Sequence, residues 1–185
     1  MKKIPTLFVR DLDNPRLVTR VVTEGCEWVF DGVGEATRKM DGECCMFRGG
    51  DLFKRRELKK AIGQQAALPF GFEQVDETDT KLIGWVPVVS SDPADKWFME
   101  ALHNQGPRVD GTYELLGPKV QGNPEAWATH EFYRHGSRVL HPDDVDFDGL
   151  KHYFEFNNIE GIVFHASNGR MMSKIKARDF GVVRK

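Results

Sequence analysis

The chain has 185 residues, 40% of them hydrophobic and 29% charged, with a formal net charge of −2. That length buries a core in one domain, and the near-neutral balance excludes a general basic field for nucleic acid, so any such contact must be local. No apolar run nears the roughly 20 residues that a membrane span needs, and the charges within MKKIPTLFVRDLDNP interrupt any leader-like segment at once.

No repeat or low-complexity linker divides the sequence, so residues 1–185 are read as a single domain. Cys26, Cys44 and Cys45 are odd in number and two are adjacent, which matches no common disulfide or zinc spacing and predicts a reducing, cytoplasmic setting. The six histidines share no metal-ligand spacing either. In chain order, Arg38-Lys39-Met40-Asp41-Gly42 leads into the first predicted hairpin. Strands 44–47 and 52–56 flank Arg48-Gly49-Gly50-Asp51 there, and Gly-Gly supplies the positive φ angles of a tight turn. The basic run Lys54-Arg55-Arg56, with Lys59 and Lys60, reads as a solvated face. Segment 68–90 includes a predicted strand from Trp85 to Val89, with no chemistry assigned. A helix is predicted from Asp92 as N-cap and Pro93 as first helical residue, with Ala94, Trp97, Phe98, Ala101 and Leu102 as its apolar stripe. A strand from Thr112 to Leu116 carries Glu114, an acid within an apolar stretch. A second helix starts near Asp146, with Phe147, Leu150 and Phe154 at helical spacing. The last hairpin joins Gly161–Phe164 to Met171–Lys176 across Ser167-Asn168-Gly169-Arg170. Hairpins mixed with helices outside a β-α-β alternation predict an α+β domain with antiparallel sheets and flanking helices.

The residues that carry chemistry are Lys39, Glu114, Glu160, Lys174 and Lys176. Strand periodicity turns Lys174 and Lys176 to one face, and the hairpin folds the Lys176 end back beside Glu160. An acid and two lysines clustered on a sheet suit a triphosphate with a divalent cation. Lys-x-Asp-Gly alone is a weak signal. In order, however, Lys-x-Asp-Gly, a strand Glu, Glu-Gly-x-Val and Lys-x-Lys resemble the covalent nucleotidyltransferase superfamily of DNA ligases, RNA ligases and mRNA capping enzymes. The stretches KMDGECCMFRGGDLFKRRE, GTYELLGPKVQGN and EGIVFHASNGRMMSKIKARDFG are similar to its small ATP-dependent RNA ligase branch, over about residues 36–181.

That resemblance implies an adenylyltransferase (ATP-grasp-like ligase catalytic) domain. It also implies an enzyme that joins a 5′-phosphate to a 3′-hydroxyl on RNA through lysyl-AMP and an adenylylated end. ATP and Mg2+ or Mn2+ would be the cofactors and RNA ends the partners, with no membrane and no obligate protein partner expected. By the same resemblance Lys39 is the nucleophile, Asp41 and Gly42 shape its loop, and Arg55 and Glu114 contact the nucleotide. Phe132 stacks on the base, Glu160 binds the metal, and Lys174 and Lys176 hold the α-phosphate. An ordinary lysine, with a pKa of about 10.4, is neutral in about one molecule in a few thousand at pH 7, and neighbouring cations favour the neutral amine. The chain ends soon after Lys-x-Lys, so no OB-fold domain is expected, which weighs against a DNA ligase or capping-type guanylyltransferase. A catalytically silent module binding nucleotide or RNA ends is the alternative of another class.

Overall fold

Buried side chains alternate within each strand, at Cys45 and Phe47, at Leu52 and Lys54, at Ile162, Phe164 and Ala166, and at Ser173 and Ile175, and each alternation buries one face of a sheet. The computed structural model, described for residues 2–60, 68–167 and 169–184, is mixed α/β with mostly antiparallel sheets and few helices. Two compact units divide the chain: Ile4–Met40 with the residues from Gly136 onward, and Asp41–His135 with the N-terminal residues through Lys3.

The first unit opens with β1 (Phe8–Arg10) and β2 (Val18–Val22), an antiparallel ribbon, followed by β3 (Gly34–Lys39). The chain then builds the second unit from β4 (Glu43–Arg48), β5 (Asp51–Lys59), β6 (Glu73–Glu77), β7 (Lys81–Pro87), α1 (Lys96–Gln105), β8 (Gly111–Leu116) and β9 (Glu131–Arg134). It returns to the first unit as α2 (Phe147–Phe156), β10 (Gly161–Ala166) and β11 (Met172–Lys176).

In the second unit six strands run in the order β6-β7-β5-β4-β8-β9. One sheet face carries Cys45, Phe47, Leu52, Tyr113, Leu115 and Phe132, which pack with Phe98 and Ala101 of α1 into a core. Gly49 and Gly50 close the β4–β5 hairpin at φ 61° and 89°, as the Gly-Gly pair requires. The expected second helix matches α2, whose N-cap Asp146 accepts from the Gly149 N–H. The expected first helix begins later than its signals suggested. Asp92 accepts from the Ala94 N–H and caps a short 3-10 turn at Pro93–Asp95, and α1 starts at Lys96. Segment 68–90 supplies β6 and β7, with the predicted strand at Trp85–Val89 lying instead at Lys81–Pro87.

In the first unit β11-β10-β3 form a three-stranded sheet. Residues 5–7 run along β11, with the Leu7 N–H bonded to the Lys174 carbonyl and the Lys174 N–H to Pro5. Its core gathers Leu7, Phe8, Ile162, Phe164 and Ile175 around Leu150 and Phe154 of α2. The Asn168 part of the last hairpin turn lies outside the described residues; Gly169 has φ 65°. Among the described residues no helix is long and apolar enough to cross a membrane.

The basic run of β5 is not a uniform solvated face. Lys54 is 5% exposed and its ammonium is bonded to the fully buried Asp95, with Asp92 3.3 Å away. Asp95 also accepts from the Val89 N–H at 2.9 Å, so one carboxylate ties β5 to the end of β7 and to the start of α1. Truncating it strands an ammonium in the core. Asp95→Ala is expected to destabilise the protein by about 3–5 kcal/mol, read from the midpoint of urea unfolding. A loss below about 1 kcal/mol would class the pair with surface ion pairs instead.

Candidate active site

Three strands bring the sequence-predicted charges of the first unit together. β10 is central, pairing with β3 so that Gly161 faces Lys39, and with β11 so that Gly161 also faces Lys176. Lys39 and Lys176 therefore stand in one row across the sheet, on the same face. Thr37, Val163 and Lys174 form the next row on that face. The centre of the first row has to be glycine. A Cβ on Gly161 would lie 2.4 Å from the Ile175 carbonyl oxygen, a contact no side chain can relieve.

Glu160 precedes β10 and joins the row. Its Oε2 accepts from the Lys39 ammonium at 2.6 Å and its Oε1 from the Lys176 ammonium at 2.5 Å. The Ala177 N–H bonds to the Glu160 backbone carbonyl, fixing this residue against the end of β11. Burial pushes the Glu160 carboxyl up, but the charges of Lys39 and Lys176 overcome it and hold the group below its ordinary value. The carboxylate side chain is 11% exposed and the two lysines 22% and 16%. A triad so placed keeps a net positive charge at the sheet surface without leaving either cation unpaired. One carboxylate is also the kind of protein ligand Mg2+ uses when substrate phosphates complete its shell.

The second unit carries the remaining predicted residues. Glu114 in β8 lies directly across from Cys44 in β4 and from Tyr133 in β9, on the sheet face opposite the core. Its Oε1 accepts from the Gly42 N–H at 3.2 Å and its Oε2 contacts His135 Nε2 at 2.7 Å. The Asp41 N–H bonds to Glu125. Gly42 lies close against β8, where a Cβ would meet the Leu115 carbonyl oxygen at 2.2 Å. Arg55 shares the Glu114 face by strand parity, and its guanidinium donates to Glu57 at 2.9 Å. The hydrogen bonds of Lys81 and Arg55 hold the Glu57 carboxyl below its usual range. Phe132, expected to stack on a base, is 4% exposed on the opposite face, edge-on to Phe47 at 5.0 Å. Its ring serves the core.

No protein-family model matches the chain, and no curated protein gives a significant match to it.

The sequence reading missed Tyr133, Cys44 and His135 on the Glu114 face. Alternation from Glu114 through the β8–β9 pairing would have found Tyr133 once β9 was recognised; its four residues, Glu-Phe-Tyr-Arg, carry too little apolar pattern to announce a strand. Trp127 lies edge-on to Tyr133, with ring centroids 6.0 Å apart.

The Glu160 bridge has a measurable consequence. Glu160→Gln leaves two ammonium groups facing a neutral amide, and we expect a loss of about 1–3 kcal/mol at pH 7, less than a fully buried pair because both lysines retain some solvent. The carboxyl is held below its ordinary 4.5 in the folded state. Its contribution is therefore complete above the unfolded value and is lost as pH falls through the folded one. The gap between wild type and Glu160→Gln in urea unfolding should be widest near neutrality and close in acid. A gap that grows on acidification would show that the carboxylate is not the ionised partner of the two lysines.

Proposed function

We propose that the chain is an ATP-dependent polynucleotide ligase, acting on RNA, with an adenylyltransferase fold and Lys39 as the nucleophile. The observation that carries this reading is the row Lys39–Gly161–Lys176 with Glu160 bound to both lysines. Residues more than 120 positions apart in sequence, drawn from three separate motifs, meet there as one carboxylate between two ammonium groups.

In the proposed reaction the Lys39 Nζ lone pair attacks the α-phosphorus of ATP. A P–N bond forms, the bond from Pα to the bridging oxygen breaks, and pyrophosphate leaves. An oxygen of an RNA 5′-phosphate then attacks the same phosphorus, the P–N bond breaks, and the lysine is regenerated as AMP passes to the RNA end. A 3′-hydroxyl attacks the adenylylated 5′-phosphate last, and AMP departs as the new phosphodiester forms.

For the first step Lys39 must leave Glu160 and lose its proton. Lys176 shares the same carboxylate, so once Glu160 turns to another partner two like charges face each other, which favours release of a proton from one of them. Lys176 and Lys174, on the same sheet face, then supply fixed positive charge for the phosphoryl oxygens. Glu160 would hold a Mg2+ or Mn2+ ion carried by the triphosphate, and that ion supplies Lewis-acid neutralisation of phosphate charge. In the second unit, Asp41, Gly42, Arg55 and Glu114 are assigned to the nucleotide. Base stacking passes from Phe132 to Tyr133, the aromatic residue on the Glu114 face.

Mass spectrometry after incubation with ATP and a divalent cation is expected to find AMP on Lys39. AMP on another lysine alone would overturn the assignment of the nucleophile, and GMP in preference to AMP would point to a capping-type enzyme. Lys39→Ala is expected to lose joining of 5′-phosphorylated RNA with ATP by more than about a thousandfold. The same variant should keep measurable joining of pre-adenylylated RNA without ATP, because the last step needs no lysine nucleophile. Normal ATP-dependent joining by Lys39→Ala would refute the reading.

A further inference from the structure

Outside the lysine row, the second unit holds a cluster that the ligase reading does not use as a cluster. Cys44, Glu114 and His135 come from three neighbouring strand segments, and one ligand atom of each lies within 4.8 Å of the other two. The register explains why. Cys44 and Glu114 are direct cross-strand partners, so their side chains leave the sheet side by side. The His135 N–H bonds to the Thr112 carbonyl, one step beyond β9, which carries His135 to the same face and diagonal to Glu114.

We infer that Cys44, Glu114 and His135 form a binding site for one borderline-soft divalent cation of the zinc class. A thiolate, an imidazole and a carboxylate are the three donor types zinc takes, and three protein ligands with an open fourth position form a recurrent zinc arrangement. Sulfur and imidazole favour such an ion over magnesium, whose preference is for oxygen. Donor atoms about 2.0–2.3 Å from a tetrahedral ion stand roughly 3.3–3.8 Å apart. The 2.7 Å contact between His135 Nε2 and Glu114 Oε2 therefore opens by roughly 0.7 Å to admit it.

The surroundings suit that change. Glu114 is held through its other oxygen by the Gly42 N–H, which leaves Oε2 as a single oriented ligand and supplies the outer-shell support that metal carboxylates require. His135 Nδ1 has no hydrogen-bond partner among the described residues, so it can take the ring proton that Nε2 gives up to the metal. The Cys44 thiol loses its proton to solvent on binding. Cys45 cannot substitute: it points to the core face, and burial pushes its thiol well above the ordinary 9.0. Glu114 is 7% exposed beside Cys44, so a cation there would be largely shielded from solvent.

Cobalt(II) reports on the site directly and independently of any ligase activity. Titration of the full-length protein is expected to give one equivalent of bound cobalt with a thiolate-to-cobalt charge-transfer band and the intense visible bands of tetrahedral coordination. Zinc should displace it, and magnesium in about a thousandfold excess should not. Cys44→Ser should remove the charge-transfer band, and His135→Ala and Glu114→Gln should each weaken binding by at least about tenfold. Absence of the band in the wild-type protein at one equivalent would overturn the inference, and so would a band that survives Cys44→Ser.

Discussion

One carboxylate shared by two ammonium groups organises the chemistry of the first unit. Glu160 lies at the entrance of the central strand, and its two oxygens are bound by lysines from the strands on either side. The arrangement depends on exact pairing. A slip of one residue in either register would turn one lysine to the core face, where Ile162, Phe164 and Ile175 leave no compensating charge. Gly161 is what allows the row to close, since the Ile175 carbonyl occupies the space of a side chain there. Electrostatics and sheet geometry are in this sense one constraint.

The second unit obeys a different rule. Its six-stranded sheet separates duties by face. Cys45, Tyr113, Leu115 and Phe132 build the core with α1, while the residues alternating with them, Cys44, Glu114 and Tyr133, stand on the other side. The two adjacent cysteines show how sharp the division is. Cys45 is fully buried and its thiol is suppressed by desolvation, whereas Cys44 is half-buried beside a carboxylate and an imidazole. The same alternation takes Lys54 into the core with Asp95 and leaves Arg55 outside, so a run of positive charge in sequence becomes a structural ion pair and a surface guanidinium.

Much of this was legible in the chain. The two glycine-rich hairpins, the strand bearing Glu114, the Asp146-capped helix and the approach of Lys176 to Glu160 follow from turn chemistry and period-two alternation. Less legible was what depends on partners far away in sequence. β3 shows no apolar alternation of its own, since Gly-Glu-Ala-Thr-Arg-Lys becomes a strand by pairing with β10. Phe132 and Tyr133 exchange places between core and surface according to the pairing of a four-residue strand with β8. The Cys44–Glu114–His135 cluster has no spacing signature at all, because its members are 70 and 21 positions apart and are joined by sheet order alone. Lys54 looked like solvent-facing charge because nothing local announces that Asp95, 41 positions later, is buried against it.

The order in which these pieces leave the ribosome follows from the nested topology. Asp41–His135 is one continuous stretch and holds every strand of its own sheet, so all the partners that sheet needs are present once it has emerged. The unit containing Lys39 cannot. Its β3 must wait for β10 and β11, more than 120 residues later, before it has any hydrogen-bonded neighbour in its sheet. Until then β3 can pair on one side only, with residues 138–140, and the lysine at its end has neither its carboxylate nor its companion cation. The strands that hold Lys39, Glu160 and Lys176 are therefore complete only when the end of the chain has been made, whereas the strands of the other sheet are all present well before.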